Sequence, residues 1–504
     1  MKLCSVARAA LLLLATPAIL LGHSGCEWGA GQPGLSGARV SASAPEKVVV
    51  FPLSIVDADT YEPVQCGTVE QAAVVGQVFE GLVGYDEELN VVPRLATDWD
   101  VSSDLRSYTF KLRAGVTFHD GTPLAAADVI SSFMAFARGT GDWFWVVEQI
   151  CGIRAYREGE ENSIAGLIAS DDRTVTFQLR EPDGIFLHNL AMPQVAVSKT
   201  TGEGVFASVV GAGPYVMQQT TAEDVVLKPY DRYYGSKPKV DRLVFRTVER
   251  PLETYMSGAL HLVGVGHAVE PQLAPQLHAY ASLNVTYAAF DMRDPEIAGN
   301  RKLRQLINAV FARSEFVDRL GDYAVPARGV LPPGMPGHRP NLRGYAQREP
   351  EPLESPVTVR ASLSSSLYSI LRRDLKPYGV TLKSEAPFQL SEQGWIADYP
   401  DPDDFLRILL HSAQGSLNTA GYRNPTVDQK LVQARRMSVD LEAETRMKLY
   451  AEIEKQVVEE APWLFLWHRR NRVLISPKLT GVKLCPLDFA GALILPQTDL
   501  ELKE

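Results

Sequence analysis

Four carboxylates lie close together in one short stretch of the sequence, directly after an apolar segment. Trp395, Ile396 and Ala397 lead to the first acid, and Pro400 and Pro402 then prevent any strand from continuing. An acid at the end of a buried strand is well placed to bind a cation as it is desolvated, because hydrogen bonds between two charged groups are stronger than those between neutral groups. The acids that offer this chemistry are Asp398, Asp401, Asp403 and Asp404.

Two other interpretations of the same acids stay open from composition. Asp398 precedes the Tyr399-Pro400 pair, and Asp in such a place often caps a turn through its own backbone. A calcium loop is the second alternative, but the ligand spacing and the glycine of an EF-hand are absent. We therefore expect no metal at this stretch, and we weigh a cation-binding site against a turn cap.

The sequence lacks the short motifs that accompany common enzyme chemistry. No Gly-x-Ser-x-Gly, His-Glu-x-x-His or phosphate-binding glycine loop occurs in it. His261 and His267 are spaced to share one face of a strand, but such a pair is more often structural than metal-binding. The sequence therefore predicts a protein that is not an enzyme and carries neither cofactor nor metal.

The N-terminus has the pattern of an export signal. Lys2 and Arg8 precede an apolar run, residues 9–21, that is too short to span a bilayer comfortably. Gly22-His23-Ser24-Gly25-Cys26 follows and resembles a bacterial lipoprotein cleavage box, with His23 where the box normally carries Leu. We expect residues 1–25 to be a signal peptide and Cys26 to be acylated. Residues 26–46, rich in Gly, Ser and Pro, predict a flexible tether to the membrane.

Length, charge and cysteine content further limit the number of lobes, the binding partners and the disulfides that the protein can have. A chain of 504 residues is too long for one core and predicts two or three lobes. Its net charge of −10 argues against nucleic acid and against contact with anionic lipid. Cys66, Cys151 and Cys485 would remain beside an acylated Cys26, so at most one disulfide forms, or all three stay as thiols.

Hydrophobic periodicity predicts the elements that surround the acids. Residues 47–53 and 463–467 are apolar runs typical of buried strands, and Ser107–Arg113 alternates as a half-exposed strand does. Apolar residues at helical spacing predict helices over 68–82 and 124–138. For the second of these helices the sequence predicts Thr122 as N-cap and Pro123 in the first turn.

Several segments together resemble one family. Asn90–Val129, Gly211–Val216, Trp395–Asp398 and Asn418–Tyr422 are similar, in order, to segments of the extracellular solute-binding proteins that serve dipeptide and oligopeptide ABC importers. The resemblance covers about residues 47–500 and no single motif carries it. It implies an α/β, periplasmic-binding-protein-like fold of the cluster C type, with two lobes joined by a two-strand hinge near residues 286 and 477. It also implies one long helix over 301–319, in the second lobe.

The resemblance also implies domain boundaries. The core of the first lobe would comprise residues 47–58, 188–285 and 477–504, and residues 59–187 would form an extra subdomain in it. Residues 286–476 would form the second lobe. Lys383–Gln393 is too short for the helix and strand that relatives carry before the central motif.

The ligand site follows from the same resemblance. Asp398 would accept hydrogen bonds from the α-ammonium group of a peptide, and Gly394 and Ile396 would pair with its main chain as an added strand would. Trp395 would pack against the first ligand residues, and Tyr399, Asn418 and Tyr422 are further candidates. Glu392 stands where the best-matched relatives carry an arginine, which predicts that an amidated peptide C-terminus is tolerated.

The resemblance thus implies a monomeric, lipid-anchored receptor in the periplasm or cell envelope. It would capture oligopeptides in an interlobe cleft and deliver them to membrane ABC permease subunits. One alternative is a receptor of the same family for another solute, namely a dipeptide, glutathione, a haem or a metal chelate. Another alternative is a lipoprotein with a signalling or adhesion role that has lost import.

Overall fold

The computed structural model describes residues 46–53, 61–139, 142–201, 208–266, 268–340, 342 and 350–503. The predicted signal peptide, Cys26, nearly all of the tether and His267 lie outside these residues. Within them, no helix is both long and apolar enough to cross a membrane. Cys66, Cys151 and Cys485 are free thiols.

The first part of the chain contains two helices among short strands. Thr68 caps the first helix and forms a reciprocal capping box with Gln71. This helix is shorter than the predicted 68–82, because Phe79 already has an extended backbone conformation. The elements are β1 (Val48–Pro52), α1 (Val69–Val78), β2 (Val83–Tyr85), β3 (Val91–Pro93), β4 (Ala96–Val101), β5 (Ser107–Leu112) and α2 (Ala126–Arg138).

The N-terminus of α2 differs from the prediction. Its N-cap is Ala125, whose N–H donates to Asp128 Oδ2 at 2.8 Å. The side chain of Thr122 instead donates to Asp120 Oδ1 at 2.7 Å, so it is used within the preceding turn. The prediction of Thr122 and Pro123 as the helix start is therefore wrong, because an acid inside the first turn satisfies the backbone in place of the hydroxyl.

The next elements complete two sheets. They are α3 (Ile153–Glu158), β6 (Leu167–Asp171), β7 (Thr174–Gln178), α4 (Phe186–Leu190), β8 (Lys199–Thr201), β9 (Ser208–Val210), β10 (Tyr215–Thr220), β11 (Asp224–Pro229), β12 (Arg242–Arg246), α5 (Pro251–Met256), β13 (Leu262–Gly264) and β14 (Leu277–Ala281). One sheet has the order β4-β5-β7-β6 and the other the order β1-β12-β11-β10. Each of the two packs its apolar residues into a separate core.

The second half of the chain builds a larger sheet. Its elements are β15 (Asn284–Phe290), α6 (Pro295–Ala298), α7 (Arg301–Val310), α8 (Arg313–Leu320), β16 (Ala324–Pro326), β17 (Val357–Ser362), α9 (Ser365–Leu375), β18 (Val380–Lys383), β19 (Leu390–Ile396), α10 (Pro402–Leu410), α11 (Pro425–Arg435), α12 (Ala443–Glu460), β20 (Trp463–Ile475), β21 (Leu479–Thr480) and β22 (Glu501–Leu502). The single helix predicted over 301–319 is two helices. Phe311 leaves the helical conformation, and Asp374 accepts the Ala312 N–H at 2.8 Å.

The larger sheet has the order β13-β20-β15-β19-β17-β18, and β14 and β16 also pair with β20. The strand predicted at 463–467 is the first part of β20, which continues to Ile475. One stretch of β20 pairs with β15 and β16, and its remainder pairs with β13 and β14. β20 thus pairs both with strands that precede residue 282, β13 and β14, and with strands that follow it, β15 and β16.

A second contact joins distant parts of the chain. Arg435 Nη2 donates to Asp183 Oδ2 at 2.8 Å, and both side chains are almost fully buried. The Gly184 N–H also donates to the Arg435 carbonyl at 2.8 Å. A Cβ atom on Gly184 would stand 1.9 Å from the Met437 carbonyl oxygen, so this approach needs glycine.

Candidate functional site

A cavity of about 940 Å³ opens where the larger sheet faces the start of α1. Strands β15, β19 and β20 supply one wall, and Gly67–Glu70 supply part of the other. Four tryptophans, Trp143, Trp145, Trp395 and Trp467, make much of the remaining lining apolar and aromatic. Its volume is at the upper end of the range for small-molecule sites, which are mostly apolar with a few polar groups.

Asp398 lies in this cavity wall, two residues after the end of β19. Its side chain is half-buried, and burial raises the pKa of its carboxyl to about 7. Burial raises the pKa of the Cys66 thiol to about 12, and the charge of nearby Asp398 adds to that shift. The loop before α1 lines the same cavity through Gly67 and Thr68.

Asp404 forms a pair with Asp398. Its Oδ2 accepts the Trp395 indole N–H at 2.9 Å and the Asp398 backbone N–H at 3.2 Å, while its Oδ1 is buried without a partner among the described residues. Burial raises the pKa of Asp404, and repulsion by Asp398 raises it further. Neither acid forms an ion pair with a described lysine or arginine, so an incoming cation would offset the cost of burying their charge.

The other two acids of the stretch have different partners. Asp401 caps α10 and forms a buried ion pair with Arg446 at 2.6 Å. Asp403 accepts from Arg407 and Arg435, both at 2.8 Å. These arginines lower the pKa of Asp403 despite its burial. The structure thus divides four acids that the sequence could not separate: Asp401 and Asp403 pair with arginines, whereas Asp398 and Asp404 have no ion-pair partner in the described chain.

The backbone of β19 has an open side at the cavity. The Ala397 N–H donates to the Leu283 carbonyl at 2.8 Å, and β19 pairs with β15 through Asn284↔Ile396 and Thr286↔Gly394. Because antiparallel hydrogen bonding alternates along a strand, the N–H and C=O groups of Gly394 and Ile396 point away from β15. On that side β17 pairs only with Leu390 and Ser391 in the described chain. Gly394 and Ile396 both line the cavity.

Three predicted residues lie behind the cavity wall. Tyr399 is fully buried, and its hydroxyl donates to Asp403 Oδ2 at 2.9 Å. Asn418 donates to the Tyr422 carbonyl at 2.7 Å and accepts the Tyr422 N–H at 3.0 Å, which closes a local turn. The Tyr422 hydroxyl donates to Glu460 at 2.7 Å. None of the three is part of the cavity lining, while Asp398, Trp395, Gly394 and Ile396 are.

Sequence reasoning missed several residues of the lining. Trp143 and Trp145 flank Phe144, and this aromatic group was a visible signal far from the acids. Arg469 also lines the cavity but sits in the basic run His468-Arg469-Arg470, where sequence does not distinguish an inward from an outward side chain. Glu392, noted from the sequence, accepts the Ser364 N–H at the start of α9, at 2.8 Å.

The chain is similar to known proteins of one family. Residues 90–354 match the family described as bacterial extracellular solute-binding proteins, family 5. The glutathione-binding protein GsiB of Pectobacterium atrosepticum is 26% identical over 473 residues, covering 82% of this chain and 87% of the relative.

Two solved structures show the same fold. One is the periplasmic murein tripeptide-binding protein MppA in its unliganded open form (TM-score 0.73, 20% identity, 92% of this chain and 98% of the other). The second is DppA of Helicobacter pylori with the peptide STSA (TM-score 0.72, 22% identity, 91% and 98%). The predicted α/β, periplasmic-binding-protein-like fold is confirmed.

Proposed function

The chain belongs to family 5 of the bacterial extracellular solute-binding proteins, and from this premise we propose that it captures short peptides for an ABC importer. The observation that carries the proposal is Asp398, which lines a large aromatic cavity and, like its neighbour Asp404 behind the wall, has no ion-pair partner among the described basic residues. The α-ammonium group of a peptide supplies the missing positive charge. Capture involves no covalent step.

The open side of β19 supports a peptide over other amines. Gly394 and Ile396 present backbone donors and acceptors into the cavity, and an extended peptide satisfies them as one more strand would. Such pairing reads the main chain, so it accommodates many side chains. The tryptophans then offer apolar surface to the side chains that project from the peptide.

The two-lobed arrangement supports delivery to a permease. We assign residues 47–58, 188–285 and 477–504 to the first lobe, 59–187 to its subdomain and 286–476 to the second lobe. Closure of the lobes over a peptide would create the form that docks on the membrane subunits. Acylation at Cys26 would keep the monomeric receptor at the membrane near its permease.

Titration calorimetry with one peptide in two forms tests the proposal. A free tripeptide should bind, and its N-acetylated form should bind at least tenfold more weakly because it lacks the ammonium group. Asp398→Asn keeps the shape of the side chain, so its loss of binding isolates the charge. Equal binding of both peptide forms would contradict the proposal, and sequencing of molecules released from native protein would then identify the solute.

Glutathione is the second candidate, favoured by the GsiB relative and by its own free ammonium group. Its γ-peptide bond places that group differently from an α-peptide, so it would match the edge of β19 less well. Reduced glutathione titrated beside the free tripeptide separates the two ligands. Binding that is tighter for glutathione would assign the protein to that solute.

A further inference from the structure

Arg469 is the only basic residue among the described residues that line the cavity. Its guanidinium lies over the Phe489 ring, 4.5 Å from the centroid, and its Nε is buried without a hydrogen-bond partner in the described chain. No described acid forms an ion pair with it, whereas Arg407, Arg435 and Arg446 each pair with an aspartate. A half-buried cation without a counter-ion is costly unless a ligand supplies one.

The backbone holds Arg469 in a fixed place in the sheet. Its N–H donates to Asn284 Oδ1 at 2.8 Å, and its carbonyl accepts from Asn284 Nδ2 at 3.3 Å. Asn284 in turn pairs with Ile396 on the other side of β15. Ile396, Asn284 and Arg469 therefore form one row across three strands, which spans roughly 10 Å.

Asp398 lies two residues beyond Ile396 along the chain, and Arg469 lies two strands away from Ile396, on β20. Two residues of extended chain add roughly 7 Å along the strand direction, so the two backbone positions are separated by roughly 12 Å. Three extended residues span at most roughly 10–11 Å, and the Asp and Arg side chains supply the remaining reach. The cavity thus holds an acid and a base at a separation that suits a short zwitterion.

We propose that Arg469 binds the C-terminal carboxylate of the ligand while Asp398 binds its ammonium group, so that the preferred ligands are zwitterionic peptides of about three residues. This proposal rests on the proposed function. The planar guanidinium can donate two parallel hydrogen bonds to one carboxylate, and stacking on Phe489 holds the plane in position. Burial lowers the pKa of Arg469, and a bound carboxylate would offset that shift.

Arg469 also changes the expectation drawn from Glu392. Glu392 accepts the Ser364 N–H at the start of α9. The positive charge comes instead from β20, on the far side of β15 from β19. An amidated peptide should therefore bind poorly, in contrast to the prediction from sequence.

The experiment uses calorimetry on the mature protein with Ala-Phe-Ala in three forms: free, N-acetylated and C-amidated. In wild type, amidation should weaken binding at least tenfold. In Arg469→Gln, the free and amidated peptides should bind equally, at the weak level of the amidated form in wild type. Arg470→Gln, which removes the exposed neighbouring charge, should behave as wild type.

The outcomes of this experiment distinguish a failure of the proposed function from a failure of the role proposed for Arg469. If the free and N-acetylated peptides bind equally or not at all, the proposed function fails. If the free peptide binds and amidation changes its affinity less than twofold in wild type, the role of Arg469 is overturned and the function stands. The wild-type comparison holds even if Arg469→Gln does not fold. Affinity that rises continuously from di- to penta-alanine, without a maximum near the tripeptide, would overturn the preferred length.

Discussion

At the scale of single residues, the state of Asp398 predicts how binding depends on pH. In the empty protein its pKa is raised to about 7, so binding of an ammonium group must first remove a proton below that pH. Affinity for the free tripeptide should fall roughly tenfold per pH unit below 7, and it should fall again above roughly pH 8 as the peptide amine loses its proton. Calorimetry from pH 5.5 to 8.5 measures both limbs.

Asp398→Asn is the control for the acidic limb, because it has no proton to lose there, and the weak binding that it retains should not fall further below pH 7. The same pKa has a consequence for stability. A raised carboxyl pKa contributes stability below the ordinary value of 3.8, and this contribution is lost as pH rises through about 7. The empty variant should therefore be at least as stable as wild type at pH 8. An acidic limb that persists in the variant would assign the pH dependence to another group.

At the scale of elements, the first turn of α10 contains two adjacent acids: Asp403 forms ion pairs with two arginines, and Asp404 forms none in the described chain. Asp403→Asn leaves Arg407 and Arg435 without their shared partner, and removing one member of a buried ion pair costs about 3–5 kcal/mol. Asp404→Asn removes a carboxyl whose charge burial already disfavours, and its amide oxygen can still accept from Trp395. It should change the free energy of unfolding by less than about 1 kcal/mol. Urea denaturation of both variants measures the difference, and equal losses would contradict the division of the four acids.

The open side of β19 can be tested at Gly394. A Cβ atom there meets only the Val285 carbonyl, at 3.7 Å, and Val suits a strand, so Gly394→Val should fold normally. Because Gly394 lines the cavity, the added methyl groups should weaken peptide binding at least tenfold while the melting temperature changes by less than about 3 °C. Unchanged affinity would place the peptide away from this strand.

Periodicity predicted these elements better than it predicted their ends. The strands at 107–113 and 463–467 and the helices at 68–82 and 124–138 all exist, because their apolar spacing is set by the core they pack against. The break between α7 and α8 was missed, because its cause is Asp374, a residue that only tertiary structure brings to Ala312. Arg469 was missed for a similar reason, since the inward direction of one arginine in a basic run depends on the pairing of β20 with β15.

At the scale of the whole molecule, the proposed anchor predicts where the protein is found. Cleavage before Cys26 and acylation of its thiol should place the protein in the membrane fraction, with a mass that exceeds that of the mature chain by its acyl groups. Cys26→Ala should remain uncleaved or lose its place at the membrane. Intact-mass spectrometry on fractionated cells gives the answer, and an unmodified, water-soluble N-terminus near Ala44 would exclude the lipoprotein.

The shared strand β20 also determines how the molecule should melt. Proteins built from lobes on flexible linkers often denature in separate steps, one for each lobe. Here one strand of thirteen residues pairs with β13 and β14 over one stretch and with β15 and β16 over another. Neither half can lose its sheet without exposing the edge of the other. Scanning calorimetry of the empty protein should therefore show a single peak, with calorimetric and van't Hoff enthalpies that agree.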